Sequence, residues 1–131
     1  MIVLDTCILI FDALTPDRLS PAALTALDTG EQARTLACAD ISLWEIAMLI
    51  AKGRLAVGMD GTAFIRDVLA ARAVRVLPVT PEIASTSAMD PRFQHADPAD
   101  RLIAATALVH HAALVTSDGR LLQLPGLATI W

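Results

Sequence analysis

Cysteine is scarce in this chain, and tyrosine is absent. The two cysteines, Cys7 and Cys38, stand in apolar surroundings without the spacing of metal ligands, so neither a disulfide framework nor a zinc site is indicated. We expect both to be buried free thiols. Basic residues are also few, and the net charge of −4 argues against a broad basic surface for nucleic acid. An acidic chain can still act on nucleic acid where divalent cations offset its carboxylates.

Long apolar runs are missing as well. The longest uncharged run, residues 102–117, is shorter than the roughly 18 residues of a membrane-spanning helix and contains two histidines. The amino terminus has neither a basic segment nor a small-residue cleavage site, which argues against a signal peptide. We therefore expect a cytoplasmic protein without a membrane segment.

The chain has the length of a single domain, which we place at residues 1–131. Hydrophobic residues make up 55% of the sequence, and the mean hydropathy is +0.57. A monomer of this size has too little interior to bury so much apolar surface. We infer that another chain covers part of it.

Short apolar strands alternate with one or two helices along the whole chain, which is the pattern of a parallel sheet with helices on both faces. The fold predicted is an α/β three-layer α/β/α sandwich with a central, mostly parallel sheet of four to five strands. The segment from Val74 to Val79 alternates as an edge or near-edge strand does. The predicted strands are Ile2–Leu4, 35–39, 74–79, 113–116 and a short last one at 129–131.

Helix starts are marked by hydroxyl and acidic residues. Ser42 and Glu45 have the spacing of a capping box, and Asp97 precedes a first-position proline as an N-cap residue does. Trp44 is expected to pack in the interior. In the helix predicted over 61–72, Arg72 belongs to the outward face together with residues 66 and 67.

Four scattered carboxylates, Asp5, Glu45, Asp100 and Asp118, carry the functional hypothesis. Asp5 and Asp118 each follow a predicted strand, so both emerge at the carboxyl edge of the sheet, where ligands bind at the point of strand-order reversal. Periodicity does not place Glu45 and Asp100 there. We expect the connections before their helices to return the chain to that edge.

Such a cluster needs a counter-charge. Two carboxylates about 5 Å apart repel by about 3 kcal/mol at an effective dielectric near 20. Magnesium or manganese would relieve this repulsion, because hard cations prefer oxygen ligands. These ions lower the pKa of water and stabilise charge on phosphate oxygens. Carboxylates without histidine or cysteine ligands thus favour hydrolysis of phosphodiesters over redox chemistry.

Four motifs together resemble the PIN-domain ribonucleases, and specifically the VapC toxins of bacterial toxin–antitoxin pairs. The resemblance follows the whole chain in order. The motifs are Asp5-Thr6, Ser42-Leu43-Trp44-Glu45-Ile46, His95-x-Asp97-Pro98-x-Asp100-Arg101-Leu102-Ile103-Ala104 and Thr116-x-Asp118.

The resemblance implies an endoribonuclease that depends on Mg²⁺, with Mn²⁺ as an alternative, and that is neutralised by a cognate VapB-like antitoxin. The family usually forms homodimers, and its antitoxin inserts a helix or tail into an apolar groove. The catalytic quartet would be Asp5, Glu45, Asp100 and Asp118, with Asp5, Asp100 and Asp118 nearest the metal.

The resemblance also implies supporting roles. Thr116 would orient Asp118 or contact phosphate, Thr6 would support the site or cap its own helix, and Asp97 would be a fifth acid or an N-cap residue. Arg101 and Arg120 are candidates for RNA phosphate contacts, with surface ion pairs as the alternative.

The sequence departs from the family pattern at Cys7, often histidine, at Leu49, often lysine, and at Ala99, often aromatic. These departures leave all the carboxylates in place and bear on RNA specificity. Two other functions stay open. One is a phosphatase with Asp5 as nucleophile, although Cys7 occupies the place of its general acid. The other is an inactive protein-binding module whose acids only cap helices.

Overall fold

The computed structural model describes all 131 residues and has a five-stranded sheet at its centre. All strand pairs are parallel, in the order β3-β2-β1-β4-β5. The predicted edge strand is indeed at one edge, as β3. The strands are β1 (Ile2–Leu4), β2 (Leu36–Ala39), β3 (Arg75–Leu77), β4 (Ala113–Val115) and β5 (Thr129–Ile130).

Helices connect successive strands and cover both faces of the sheet. Two short 3₁₀ turns, at Pro16–Arg18 and Pro91–Phe93, lie between them. The helices are α1 (Thr6–Leu14), α2 (Pro21–Ala33), α3 (Ile41–Ala51), α4 (Gly61–Ala71), α5 (Pro81–Met89), α6 (Pro98–Val109) and α7 (Gly119–Leu122). The one-turn α7 follows Asp118 and was not predicted, since four residues give no periodicity.

The sheet separates two hydrophobic cores. Side chains alternate along each strand, so Val3 and Leu114 belong to the core under α5 and α6. Leu4 and Val115 belong to the other core, which packs under α1 to α4. The predicted three-layer α/β/α sandwich is confirmed.

The strand order explains how the acids reach one edge. β1 pairs with β2 on one side and with β4 on the other, so strand order reverses beside Asp5. Only Asp40 separates the end of β2 from the start of helix α3. The first turns of α3, with Glu45, therefore lie at the carboxyl edge without the long connection that we expected. Helix α6 leads directly into β4. Its first turn therefore lies at the same edge, reached through residues 90–97.

The predicted capping box at Ser42 is wrong. Helix α3 begins at Ile41, two residues earlier than a Ser42 cap requires, and Asp40 is its N-cap. Ser42 is fully buried and makes its hydrogen bond across the structure instead. The side chains of Ser42 and Glu45 both contact Thr6 of α1. They therefore contribute to the site rather than to capping α3.

The predicted free thiols are both present. Cys38 is buried in the core, and burial raises the pKa of its thiol to about 12. Cys7 is only half-buried, and burial and the neighbouring Asp5 carboxylate raise its pKa to about 11. No helix combines the length and the apolar character that crossing a membrane requires.

Arg72 does not point outward, contrary to the prediction. Its guanidinium donates two hydrogen bonds to Asp12 of α1, at 2.6 and 2.8 Å, and one each to Asp28 and Glu31 of α2. Only 17% of the side chain is exposed. Arg72 thus ties the end of α4 to two other helices, and none of the three acids forms a salt bridge with another cation.

We expect Arg72→Met to lower the free energy of unfolding by about 2 kcal/mol, since charge-assisted bonds at a partly buried site are lost. Urea unfolding at neutral pH measures this. Arg66→Met is the matched control on the same helix, because Arg66 is exposed and forms no salt bridge. A loss within about 0.5 kcal/mol is typical of such a surface position. Equal losses in the two variants would contradict the bridging role.

Candidate active site

Asp5 is the most deeply placed acid and ends β1. Only 5% of the residue is exposed. Its Oδ1 accepts the backbone N–H of Thr6 at 2.8 Å, which caps α1, and its Oδ2 accepts the Thr116 hydroxyl at 2.7 Å. Burial raises the pKa of Asp5, while these hydrogen bonds act in the opposite direction. Asp5, rather than Thr6, therefore caps the helix.

Thr116 connects two of the acids. It is fully buried at the end of β4, and its hydroxyl oxygen accepts the backbone N–H of Asp118 at 3.0 Å while donating to Asp5. The Asp118 side chain accepts the backbone N–H of Arg120 at 2.8 Å and so begins α7. Thr116 thus positions the Asp118 backbone, and Arg120 N–H orients the Asp118 carboxylate.

Glu45 is held by Thr6. The Thr6 hydroxyl donates to Glu45 Oε1 at 2.5 Å and lies 2.9 Å from Ser42 Oγ, so α1 and α3 meet through this polar contact. Burial raises the pKa of Glu45, and the charges of Asp5 and Asp97 raise it further. The Thr6 hydroxyl therefore holds the Glu45 carboxylate and does not cap α1.

Asp100 lies on the first turn of α6, where the charges of four other acids act on it. Burial, and after it the negative charges of the other four acids, together raise its pKa to about 7; these acids are Asp5, Asp118, Asp97 and Glu45. The four carboxylates of the hypothesis therefore share one site with Asp97. No Lys or Arg forms a salt bridge with any of them.

Asp97 precedes α6 as its N-cap residue, but its side chain makes no capping hydrogen bond. The predicted N-cap position is therefore right, but the side chain does not cap the helix, and the residue lines a cavity with Glu45. Trp44 does not pack in the interior either, since 57% of it is exposed. Both side chains stand on the surface around the acids.

The two predicted phosphate ligands have different surroundings. Arg101 donates from Nε to the Ala96 carbonyl and from Nη2 to the Gln94 carbonyl, which braces the loop before α6. Arg120 is exposed and lines a cavity of about 400 Å³ beside Asp100. Neither arginine forms an ion pair.

Two polar residues of the site were not predicted for it. Ser42 contacts Thr6, and Ser117 Oγ lies 3.5 Å from Cys7 Sγ. Ser42 gave a signal only as a capping residue. Ser117 stands between Thr116 and Asp118, and no spacing rule singles it out.

The chemistry of the donor set fits a hard divalent cation, because every candidate ligand is a carboxylate oxygen. Burial and, after it, the repulsion of the other acids raise the pKa of Asp100, and a divalent charge relieves that repulsion. No three His, Cys, Asp or Glu side chains are grouped so that they hold a metal ion directly. An ion that keeps several of its waters, as Mg²⁺ does, suits such a spacing.

A parallel sheet with carboxylates gathered at its strand-order reversal defines the class of this protein. The sequence matches the PIN domain family over residues 2–127, and the chain belongs to that family. It is 36% identical over 132 residues to Ribonuclease VapC22 of Mycobacterium tuberculosis (strain ATCC 25618 / H37Rv), an alignment covering 99% of this chain and 98% of the relative.

Solved structures show the same fold. VapBC2 from Rickettsia felis, bound to a DNA fragment from its promoter, contains a chain with a TM-score of 0.74 and 18% identity. A toxin-antitoxin complex from Klebsiella pneumoniae contains one with a TM-score of 0.64 and 20% identity. Each comparison covers 98% of this chain and 97% of the other.

Proposed function

We propose that this chain, as one functional unit of residues 1–131, is an endoribonuclease that cleaves RNA phosphodiester bonds with Mg²⁺, or with Mn²⁺ in its place. One observation carries the proposal: five acids share a site without a paired cation, and their charges help to raise the pKa of Asp100 to about 7. The relationship to a ribonuclease in sequence supports RNA as the substrate. An RNA substrate implies action in the cytoplasm.

In this proposal Asp5, Asp100 and Asp118 are the acids nearest the metal, and part of their contact with it runs through waters that Mg²⁺ keeps. A bound divalent cation supplies a water of lowered pKa and charge neutralisation at the phosphate. Hydrogen bonds from Thr6 and Thr116 fix the orientation of the Asp5 carboxylate, so it would need little rearrangement to hold the ion.

Glu45 is the candidate general base. Its Oε1 is held by Thr6, and a raised pKa brings a carboxylate closer to the value at which proton transfer is efficient near neutral pH. Arg120 is the candidate for binding an RNA phosphate, since it is exposed and beside Asp100. Arg101 is the weaker candidate, because two of its five N–H groups already brace the loop.

The partner proposed is a small VapB-like antitoxin, as the toxin–antitoxin complexes among the similar structures suggest. An apolar cavity of about 350 Å³ between α1 and α4 offers a place for an apolar segment of that partner. A homodimer would cover further apolar surface. The cavity is lined by ten hydrophobic side chains, among them Leu9, Leu14, Met59, Phe64 and Val68.

The proposal is tested by metal removal. We expect the purified protein to cut single-stranded RNA internally in millimolar Mg²⁺, to stop in excess EDTA, and to recover when Mg²⁺ or Mn²⁺ is restored. Gel analysis of a 5′-labelled RNA distinguishes internal cuts from trimming at the ends.

Cleavage that persists in EDTA would contradict the metal role. Absence of both RNA cleavage and calorimetric Mg²⁺ binding would favour the inactive module. Turnover of small phosphomonoesters would revive the phosphatase, which no contact in the structure favours, because the Cys7 thiol lies at 3.7 Å from Asp5 with a raised pKa.

A further inference from the structure

The exposed face of α3 forms one wall of a cavity beside the acids. The cavity has a volume of about 710 Å³, and Trp44, Met48 and Lys52 lie along this wall at helical spacing. The facing wall is the start of α6. We call this feature the Trp44 cavity, and its other lining residues are Ile41, Glu45, Leu49, Arg54, Asp97, Pro98, Ala99 and Leu102.

Trp44 is not needed for packing within the chain. Helix α3 anchors itself through Ser42 and Ile46, which are both fully buried on its other side. Trp44 remains 57% exposed, although it is one of only two tryptophans. A large aromatic surface left open next to a site is typical of a ligand contact.

Charge along the Trp44 cavity runs from negative to positive. Glu45 and Asp97 stand at the acid site, whereas Lys52 and Arg54 stand at the end of α3 and just beyond it. Both cations are exposed and form no salt bridge. The aromatic surface therefore lies between a candidate centre for phosphodiester cleavage and two unpaired cations.

We propose that the Trp44 cavity binds single-stranded RNA: one base next to the cleaved phosphate stacks on Trp44, and the phosphates beyond it contact Lys52 and Arg54. This inference rests on the proposed function and adds the form of RNA and the residues that hold it. Stacking on an aromatic side chain suits single strands, whose bases are free of a partner strand. It tolerates any base, because each has a π face.

A second copy of this chain is the other occupant to consider. A second copy would leave unexplained why Trp44 lies between the candidate cleavage centre and the two cations, the order in which an RNA strand presents a phosphate, a base and further phosphates. A phosphate backbone complements the same charges. The arrangement therefore favours RNA.

Binding is measured in an Asp100→Asn background, so that the RNA stays intact. The probe is a fluorescein-labelled single strand of mixed sequence, about 12 nucleotides long, a length within the range such sites cover. We expect Trp44→Ala to weaken binding by about 5- to 150-fold, the loss of one stacked base, and Trp44→Phe to restore most of it. Met89→Ala is the matched control, since Met89 is 77% exposed on α5 and lines no part of this cavity.

Two further readouts separate stacking from a structural effect. An abasic nucleotide at the stacked position should weaken RNA binding by the protein that retains Trp44. It should cause no further loss of affinity in Trp44→Ala, which has already lost the stacking contact. Lys52→Ala and Arg54→Ala should each lower the slope of log K against log salt by about 0.7, the value for one phosphate of a single strand.

Failure of the inference differs from failure of the proposed function. If the wild-type protein cleaves RNA but Trp44→Ala binds the probe as well as the parent does, the inference is overturned and the nuclease stands. If Trp44→Ala instead converts a dimer to a monomer in light scattering with unchanged RNA affinity, the cavity is a protein interface. If the wild type cleaves no RNA in Mg²⁺, the proposed function itself fails.

Discussion

We expect Asp5→Asn and Asp100→Asn each to reduce RNA cleavage by at least about 100-fold while the protein stays folded. Loss of partners one shell away from a metal typically costs 10- to 100-fold, and loss of a ligand carboxylate should cost no less. Asparagine keeps the shape of aspartate but removes the charge. The expected loss therefore comes from the chemistry of the site, since the volume of the side chain hardly changes.

Initial rates on a labelled RNA in Mg²⁺ measure this effect, and circular dichroism checks the fold. Asp67→Asn is the control, because Asp67 is exposed on α4 and lines neither of the cavities beside the acids. We expect its rate to match the wild type. Unchanged activity in both Asp5→Asn and Asp100→Asn would remove the basis of the proposed function.

The metal-free protein should lose stability as pH rises from 5 to 8. The pKa of Asp100 is 3.8 in its ordinary range and about 7 in the fold, so the folded state binds a proton that the unfolded chain releases. This contribution is complete below about pH 4 and is lost as pH rises through about 7. The raised pKa values of Asp5 and Glu45 act in the same direction.

The expected size is about 2 kcal/mol after allowance for solvent screening, or about 5 to 10 °C in Tm for a chain of this length. Thermal unfolding in EDTA at pH 5, 6, 7 and 8 measures it. We expect added Mg²⁺ to raise Tm at pH 8 much more than at pH 5, because the ion binds the ionised carboxylates.

Asp100→Asn provides the decisive comparison. It should flatten the pH dependence and raise the Tm of the metal-free protein at pH 8, while Asp67→Asn leaves the dependence unchanged. A variant that loses activity and gains stability at the same time indicates a site whose acids are held together against their repulsion. A metal-free protein with equal Tm at pH 5 and pH 8 would show that the acids do not interact as the structure indicates.

Several features of this protein follow from its sequence alone. Hydrophobic residues recur with different spacings in the short strands and in the helices between them. These patterns predict an α/β sandwich with Asp5 and Asp118 at one edge of the sheet. The need for a counter-charge also follows, because it depends only on residue type. The spacing of residues within a motif and the ligand preference of a carboxylate are local properties, and they depend little on the rest of the chain.

The tertiary structure decided which partner each polar group has. Ser42 has the sequence spacing of a capping residue, but it contacts Thr6. The helical periodicity places Arg72 on the surface, but it binds acids on two other helices. Trp44 was expected in the interior and is exposed. The hydroxyl of Thr116 reaches Asp5 across 111 positions of sequence. Hydrogen bonds and burial depend on which strands become neighbours, and that choice is made by the packing of the whole chain rather than by any short segment of it.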